Sequence, residues 1–158
     1  MKAVVYEKHG SPDVLEVKEI EKPASQENEI LVKVLTAAVT PMDWHFMTGT
    51  PFLARIMAGG LFKPKHKVLG TQASDVVESA GVNVTNFKPG DEVFGRSSKG
   101  GAYAEFMCMP ASETWNKPSN MSFEDAAAVL FSGMTAVICL CGLGEINSGD
   151  KVLVNGAS

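Results

Sequence analysis

Leu61–Met107 reads LFKPKHKVLGTQASDVVESAGVNVTNFKPGDEVFGRSSKGGAYAEFM, and its alternation of β-prone runs with turn residues decides the fold. Val76, Val77, Val93, Phe94, Tyr103 and Phe106 supply the apolar strand positions. Gly81, Asn83, Asn86, Pro89-Gly90 and Gly100-Gly101 punctuate them. Lys88-Pro89-Gly90-Asp91 is a turn signal with a mechanism, since proline presets φ and glycine accepts a positive φ without steric cost. The pattern predicts strand, turn, strand, turn, strand. Such a unit closes into a small β-barrel whose chemistry sits at the rim, in the segments on either side.

On the N-terminal side, Ala3–Glu7 and Val14–Ile20 read as short strands around a turn at His9–Asp13. Glu29–Val39 is the longest strand signal. Ile30, Val32 and Val34 line one face and Leu31 and Leu35 the other, so both faces are expected to be partly covered. Pro41 and Asp43 break the run, and Met42–Met47 suits a single helical turn. Thr50–Phe62 carries Phe52, Leu53, Ile56, Met57, Leu61 and Phe62, the composition of a helix packed on the barrel or of an apolar lid over a cleft.

On the C-terminal side, Pro110–Met121 reads as a polar connector. Ser122, with Asp125 three residues on, marks a helix start. Phe123–Cys141 is apolar nearly all round, which predicts a helix buried between two bodies. A kink is expected at Ser132-Gly133, where glycine costs about 1 kcal/mol against alanine. Lys151–Asn155, followed by Gly156-Ala157-Ser158, has the form of a buried parallel strand entering a phosphate-binding loop. Parallel pairing needs crossover helices that the chain lacks there, so the expectation is a chain cut at the first strand of a second domain.

Composition bounds the function classes. The 158 residues are 45% apolar, enough for a real core, and the net charge is −4 with no basic cluster. That argues against a nucleic-acid surface or an anionic membrane. The longest apolar stretch is interrupted by Ser132, Gly133 and Thr135, so no membrane span is expected. Cys108, Cys139 and Cys141 have no framework spacing and fit a cytoplasmic location.

The order VKV…A.V.P.DW…LG…VVE.AG.NV..F.PGDEVFG…GG.YAE, then AAAV…S.MTA…GDKVLVNGAS, resembles the medium-chain dehydrogenase/reductase superfamily. Its zinc-independent quinone oxidoreductase and enoyl-reductase branch is the nearer likeness, with Lys88–Gly95 (KPGDEVFG) the most specific piece. The resemblance implies a mainly β, GroES-like catalytic barrel over residues 1–121. Residues 122–158 would then be the opening helix and first strand of a truncated Rossmann α/β domain.

The resemblance also implies the chemistry. The metal-dependent relatives place a cysteine where this chain has Thr40 and a histidine-glutamate pair where it has Thr71-Gln72. A hydroxyl and an amide are poor zinc ligands, so no metal site is expected. The implied reaction is hydride transfer from the reduced form of NADP, NADPH (that of NAD, NADH, being the alternative), to a small quinone or enone, in a homo-oligomeric parent protein. Thr40, Asp43, Trp44 and Gln72 are the candidate catalytic residues. Thr40 and Thr135 would meet the nicotinamide, and Gly156, Ala157 and Ser158 the pyrophosphate. Each has a plainer reading. Asp43 can cap a short helix, Trp44 can be core, Gln72 can make a structural hydrogen bond, and Thr135 can bond back to its own helix. His45 beside Asp43 and Trp44 is a candidate proton relay. Two other classes compete: a zinc-type alcohol dehydrogenase relative that has lost its metal, and a stand-alone GroES-like binding or assembly module.

Overall fold

The computed structural model describes residues 1–57, 60 and 62–155. Among these the chain runs β1 (Lys2–Val5), β2 (Glu16–Glu19), β3 (Glu29–Ala37), α1 (Pro41–Thr48), α2 (Phe52–Met57) and β4 (Gln72–Ala80). It continues through β5 (Glu92–Arg96), β6 (Phe106–Pro110), β7 (Thr114–Asn116) and α3 (Phe123–Val137). β1 and β2 pair antiparallel, and the other five strands form an antiparallel sheet in the order β6-β3-β4-β5-β7. Bridges from Ala3 to Ala104 and from Val5 to Val68 fold the small pair onto the larger sheet, giving a mainly β, curled half-barrel.

The sequence pattern explains the core. Alternate residues of β3, β4, β5 and β6 put Ile30, Val32, Ala73, Val77, Val93, Met107 and Met109 inside, with Phe87 closing one end. Leu31 is buried on the opposite face, so β3 is covered on both sides near its start, as its continuous apolar run predicts. Register shifts at Leu31/Val32 and Val34/Thr36 bend β3, which steepens the twist and helps the sheet curl. The predicted turn forms: the Asp91 amide donates to the Lys88 carbonyl at 3.1 Å and the Lys88 amide to the Asp91 carboxylate at 2.9 Å.

Six sequence expectations change. The connector Pro110–Met121 contains β7, whose Trp115 packs on Phe94 at 6.1 Å; three residues are too few to show a two-residue period. Tyr103 lies outside the strands, holding β1 instead by accepting from the Val4 amide. The strand over Val14–Ile20 and the helix over Thr50–Phe62 shrink to β2 and α2. α3 continues through Ser132-Gly133 without a break. The irregularity comes later, as π-helical turns over Ile138–Leu143, where the Gly144 amide reaches back five residues to the Cys139 carbonyl at 2.8 Å. Finally, Lys151–Asn155 forms no strand, because no sheet edge lies beside it to complete a ladder, and Val152, Leu153 and Val154 stand exposed.

α3 begins where Ser122 Oγ accepts from the Asp125 amide at 3.0 Å. It buries Ala126, Ala127 and Leu130 against the sheet while Val129 and Val137 face outward and Phe131 is half exposed. The expected burial between two bodies is thus met on one side of the helix. Phe123–Leu143 is also long and apolar enough, by length and composition, to cross a membrane.

Candidate functional site

Asp43 is the knot that ties the site together. It is 3% exposed, and its Oδ2 accepts from the Thr40 amide at 2.8 Å and from Thr40 Oγ1 at 2.7 Å, which closes the N-terminus of α1. Its Oδ1 accepts from the Gly70 amide at 3.0 Å, joining α1 to the loop that enters β4. Gly70 adopts φ +84°, and a Cβ there would lie 2.6 Å from the Tyr103 ring, so glycine is required by conformation and by space. Burial first, and then the Asp43 charge, pushes the Tyr6 phenol up to about 12 and raises that of Tyr103 as well. Both phenols therefore remain neutral beside it.

This knot shapes one wall of a cleft of about 480 Å³. The start of α1 contributes Thr40, Met42, His45 and Phe46. The start of β4 adds Thr71 and Gln72, and the end of β5 adds Arg96, Ser97 and Ser98. α3 closes the far side with Leu130, Phe131, Met134, Thr135 and Ile138. Gln72, 3% exposed, spans the cleft floor: its Oε1 accepts from the Phe131 amide at 3.1 Å and so pins α3 to the sheet. His45 Nδ1 lies 2.6 Å from the Thr50 carbonyl, which can only accept. The ring is thereby fixed with a proton on Nδ1, leaving Nε2 as the atom that gains or loses one.

The sequence-derived candidates divide. Thr40, Gln72 and Thr135 converge on the cleft. Asp43 stands behind it with both carboxylate oxygens already bonded, the capping reading realised. Trp44 is half exposed and lies off the cleft wall, as do the lid candidates Phe52, Leu53 and Phe62. Gly156, Ala157 and Ser158, the Met57 side chain and Leu61 lie outside the described residues. Arg96, Ser97 and Met134 were not legible as site residues. Arg96 sits directly across from Gln72 in the β4–β5 register, but a fifteen-residue excursion of strand ends and turn separates the innermost of those pairs, Val76 and Glu92.

A second buried carboxylate lies deeper in the sheet. Asp75, on β4, is wholly enclosed, and its Oδ1 accepts from the Leu35 amide at 3.4 Å while Oδ2 has no partner among the described residues. Burial pushes its carboxyl up to about 8.

Residues 26–119 match the family model of the alcohol dehydrogenase GroES-like domain. The chain belongs to that family. Across its full length this GroES-like chain is 32% identical to quinone oxidoreductase of Rattus norvegicus, of which it covers 46%. It is 31% identical, over 99% of its length, to the mitochondrial enoyl-[acyl-carrier-protein] reductase of Arabidopsis thaliana, covering 40% of that protein. Among solved structures, the Coxiella burnetii quinone oxidoreductase aligns with a TM-score of 0.83 at 31% identity, over 95% of this chain and 47% of that one. Escherichia coli quinone oxidoreductase complexed with NADPH aligns with a TM-score of 0.74 at 31% identity, over 89% and 40%. The chain thus spans about half the length of the relatives it matches.

Proposed function

We propose that the cleft is the barrel-side half of the active site of an NAD(P)H-dependent reductase that acts on quinones or activated C=C bonds without zinc. The observation that carries this reading is the cleft's lining: a mostly apolar chamber of about 480 Å³, edged by the uncharged donors Thr71, Gln72 and Thr135. That volume falls within the roughly 300–1,000 Å³ of small-molecule sites, and neutral donors on an apolar wall suit a flat carbonyl-bearing ring. The oxidoreductase names of the relatives, one of them seen with NADPH, support the reading.

The dinucleotide, when bound, supplies the hydride. This chain's residues do the rest. Leu130, Phe131 and Met134 exclude water from the reacting face. The hydroxyls of Thr71 and Thr135 bind and orient carbonyl groups, while the Thr40 hydroxyl gives its one proton to Asp43 and shapes the wall. Hydride addition to a quinone or enone leaves its charge spread over a conjugated system, which hydrogen bonds and a proton are enough to settle. His45 is the group that hands on that proton, from Nε2, because Nδ1 is committed to Thr50.

The metal-free part of the proposal rests on donor chemistry. Thr40 Oγ1 and Gln72 Oε1 are both engaged in protein hydrogen bonds, and among the described residues no three His, Cys, Asp or Glu side chains cluster. Oxidation of NADPH and NADH by the protein that carries this chain, followed with a naphthoquinone and with an acyclic enone, is the test. Turnover is expected to be unchanged by a chelator. Zinc-restored alcohol oxidation with no quinone or enone turnover would overturn the proposal.

A further inference from the structure

We infer that Arg96 is a specificity-determining residue of this cleft, and that the substrate it selects carries a carboxylate beside its reducible system. The inference rests on the reading of the cleft as a reductase site and narrows its substrate class. Arg96 ends β5 directly opposite Gln72 on β4, and directly opposed residues of an antiparallel pair share a face. Both accordingly line the cleft. Gln72 forms the floor, so the guanidinium stands at the edge of the space in which a ring above Gln72 would lie.

The charge balance of the wall is unlike that of the chain. The chain as a whole has 18 acidic and 14 basic residues. Among the described residues the cleft wall nevertheless includes one arginine, one histidine, hydroxyls and an amide, and no carboxylate. Glu113 approaches Arg96 at Nε, 3.0 Å away, and is not part of the wall. The pair is close without hydrogen-bond geometry, since Glu113 Oε2 has no hydrogen-bond partner among the described residues, and the terminal nitrogens of Arg96 keep the geometry suited to a planar, two-pronged acceptor. A neutral quinone has no use for such a group; a ring carboxylate does. Arg96 and Glu113 are each part-exposed, so the pair is screened and its strength modest.

The shared chemistry is an anionic oxygen, and a dinucleotide phosphate is the other source of one. A titration of the 158-residue chain, followed by amide shifts in nuclear magnetic resonance, separates the two. The probes are a naphthoquinone carboxylic acid, its methyl ester, inorganic phosphate and NADP. The ester reports whether the cleft takes a flat carbonyl ring at all, and the acid-to-ester ratio reports on Arg96. The acid is expected to bind about five- to tenfold tighter than the ester, the range of a partly screened charged hydrogen bond. Arg96→Gln is expected to abolish that ratio while leaving ester affinity within about twofold, and Arg96→Lys to keep part of it. Glu113→Gln, which frees the guanidinium, is expected to raise the ratio. Equal binding of acid and ester by the native chain, or a ratio that survives Arg96→Gln, would overturn the inference. So would an Arg96→Gln loss confined to phosphate and NADP. Binding of neither ring probe would remove the cleft reading and this inference with it.

Discussion

The sheet and the segment after it are built from equally apolar sequence and end in opposite states. In the sheet, Ile30, Val32, Ala73 and Val93 are fully enclosed, and each strand finds a partner in register. From Val129 onward, Val137 and Leu143 face outward, Phe131 and Ile138 are half exposed along the cleft, and Leu153 is 90% exposed. The difference shows that apolar content alone organises nothing here. The half-barrel closes because its turns return each strand to a neighbour, whereas α3 has one neighbour, the sheet, and residues 151–155 have none.

Four perturbations would break or sharpen that contrast. The largest effect is expected at the knot on the closed side. Asp43→Ala removes three hydrogen bonds and leaves the Gly70 amide without its acceptor, at a cost of about 3 kcal/mol or more by urea unfolding. A loss below about 1 kcal/mol would mean that α1 is held otherwise.

Next is Asp75, the one place where the enclosed sheet works against itself. Its carboxyl titrates near 8 when folded against an ordinary value of 3.8. Between those values the native state keeps a proton that the unfolded chain has released. The contribution of this group is therefore fully present below the lower value and is lost as pH rises through the higher one. Asp75→Asn is expected to remove that slope and to stabilise the protein by on the order of 2 kcal/mol at mildly alkaline pH. Unfolding midpoints at a series of pH values give the answer, and an unchanged slope would refute it.

Gln72→Ala comes third. It takes away the link between the sheet and α3 and is expected to cost about 1–2 kcal/mol. Amide exchange should quicken at Phe131 and its helical neighbours while β3 and β4 keep their protection. The smallest effect belongs to the open side: Leu153→Ser with Val137→Ser is expected to change stability by less than about 0.5 kcal/mol. The same pair should weaken self-association in sedimentation experiments, since it interrupts the exposed apolar surface.

Much of the half-barrel was legible in the sequence because turn chemistry is local. Lys88–Asp91 forms the hydrogen-bonded turn that its residues prescribe, and the two covered faces of β3 follow from its unbroken apolar run. What escaped was decided at a distance. β7 sets Trp115 against Phe94, and α3 continues unbroken through Gly133 while the irregularity falls at Ile138–Leu143. The strand expected over residues 151–155 needed a neighbour that its own residues cannot supply. In the cleft, Thr40, Gln72 and Thr135 were reachable by resemblance, and their convergence is a tertiary fact. Arg96 lay hidden because strand register, and not sequence spacing, sets it opposite Gln72. Trp44 misled because proximity in sequence to His45 does not place its ring on the same wall.

The most direct measurement is a crystal structure of this chain soaked with a naphthoquinone. Electron density for the ring is expected between Gln72 and α3, with a carbonyl oxygen within hydrogen-bond reach of the Thr71 or Thr135 hydroxyl. Density elsewhere on the surface, with that cleft filled by side chains or ordered water alone, would contradict the assignment of the cleft as the place where reduction occurs.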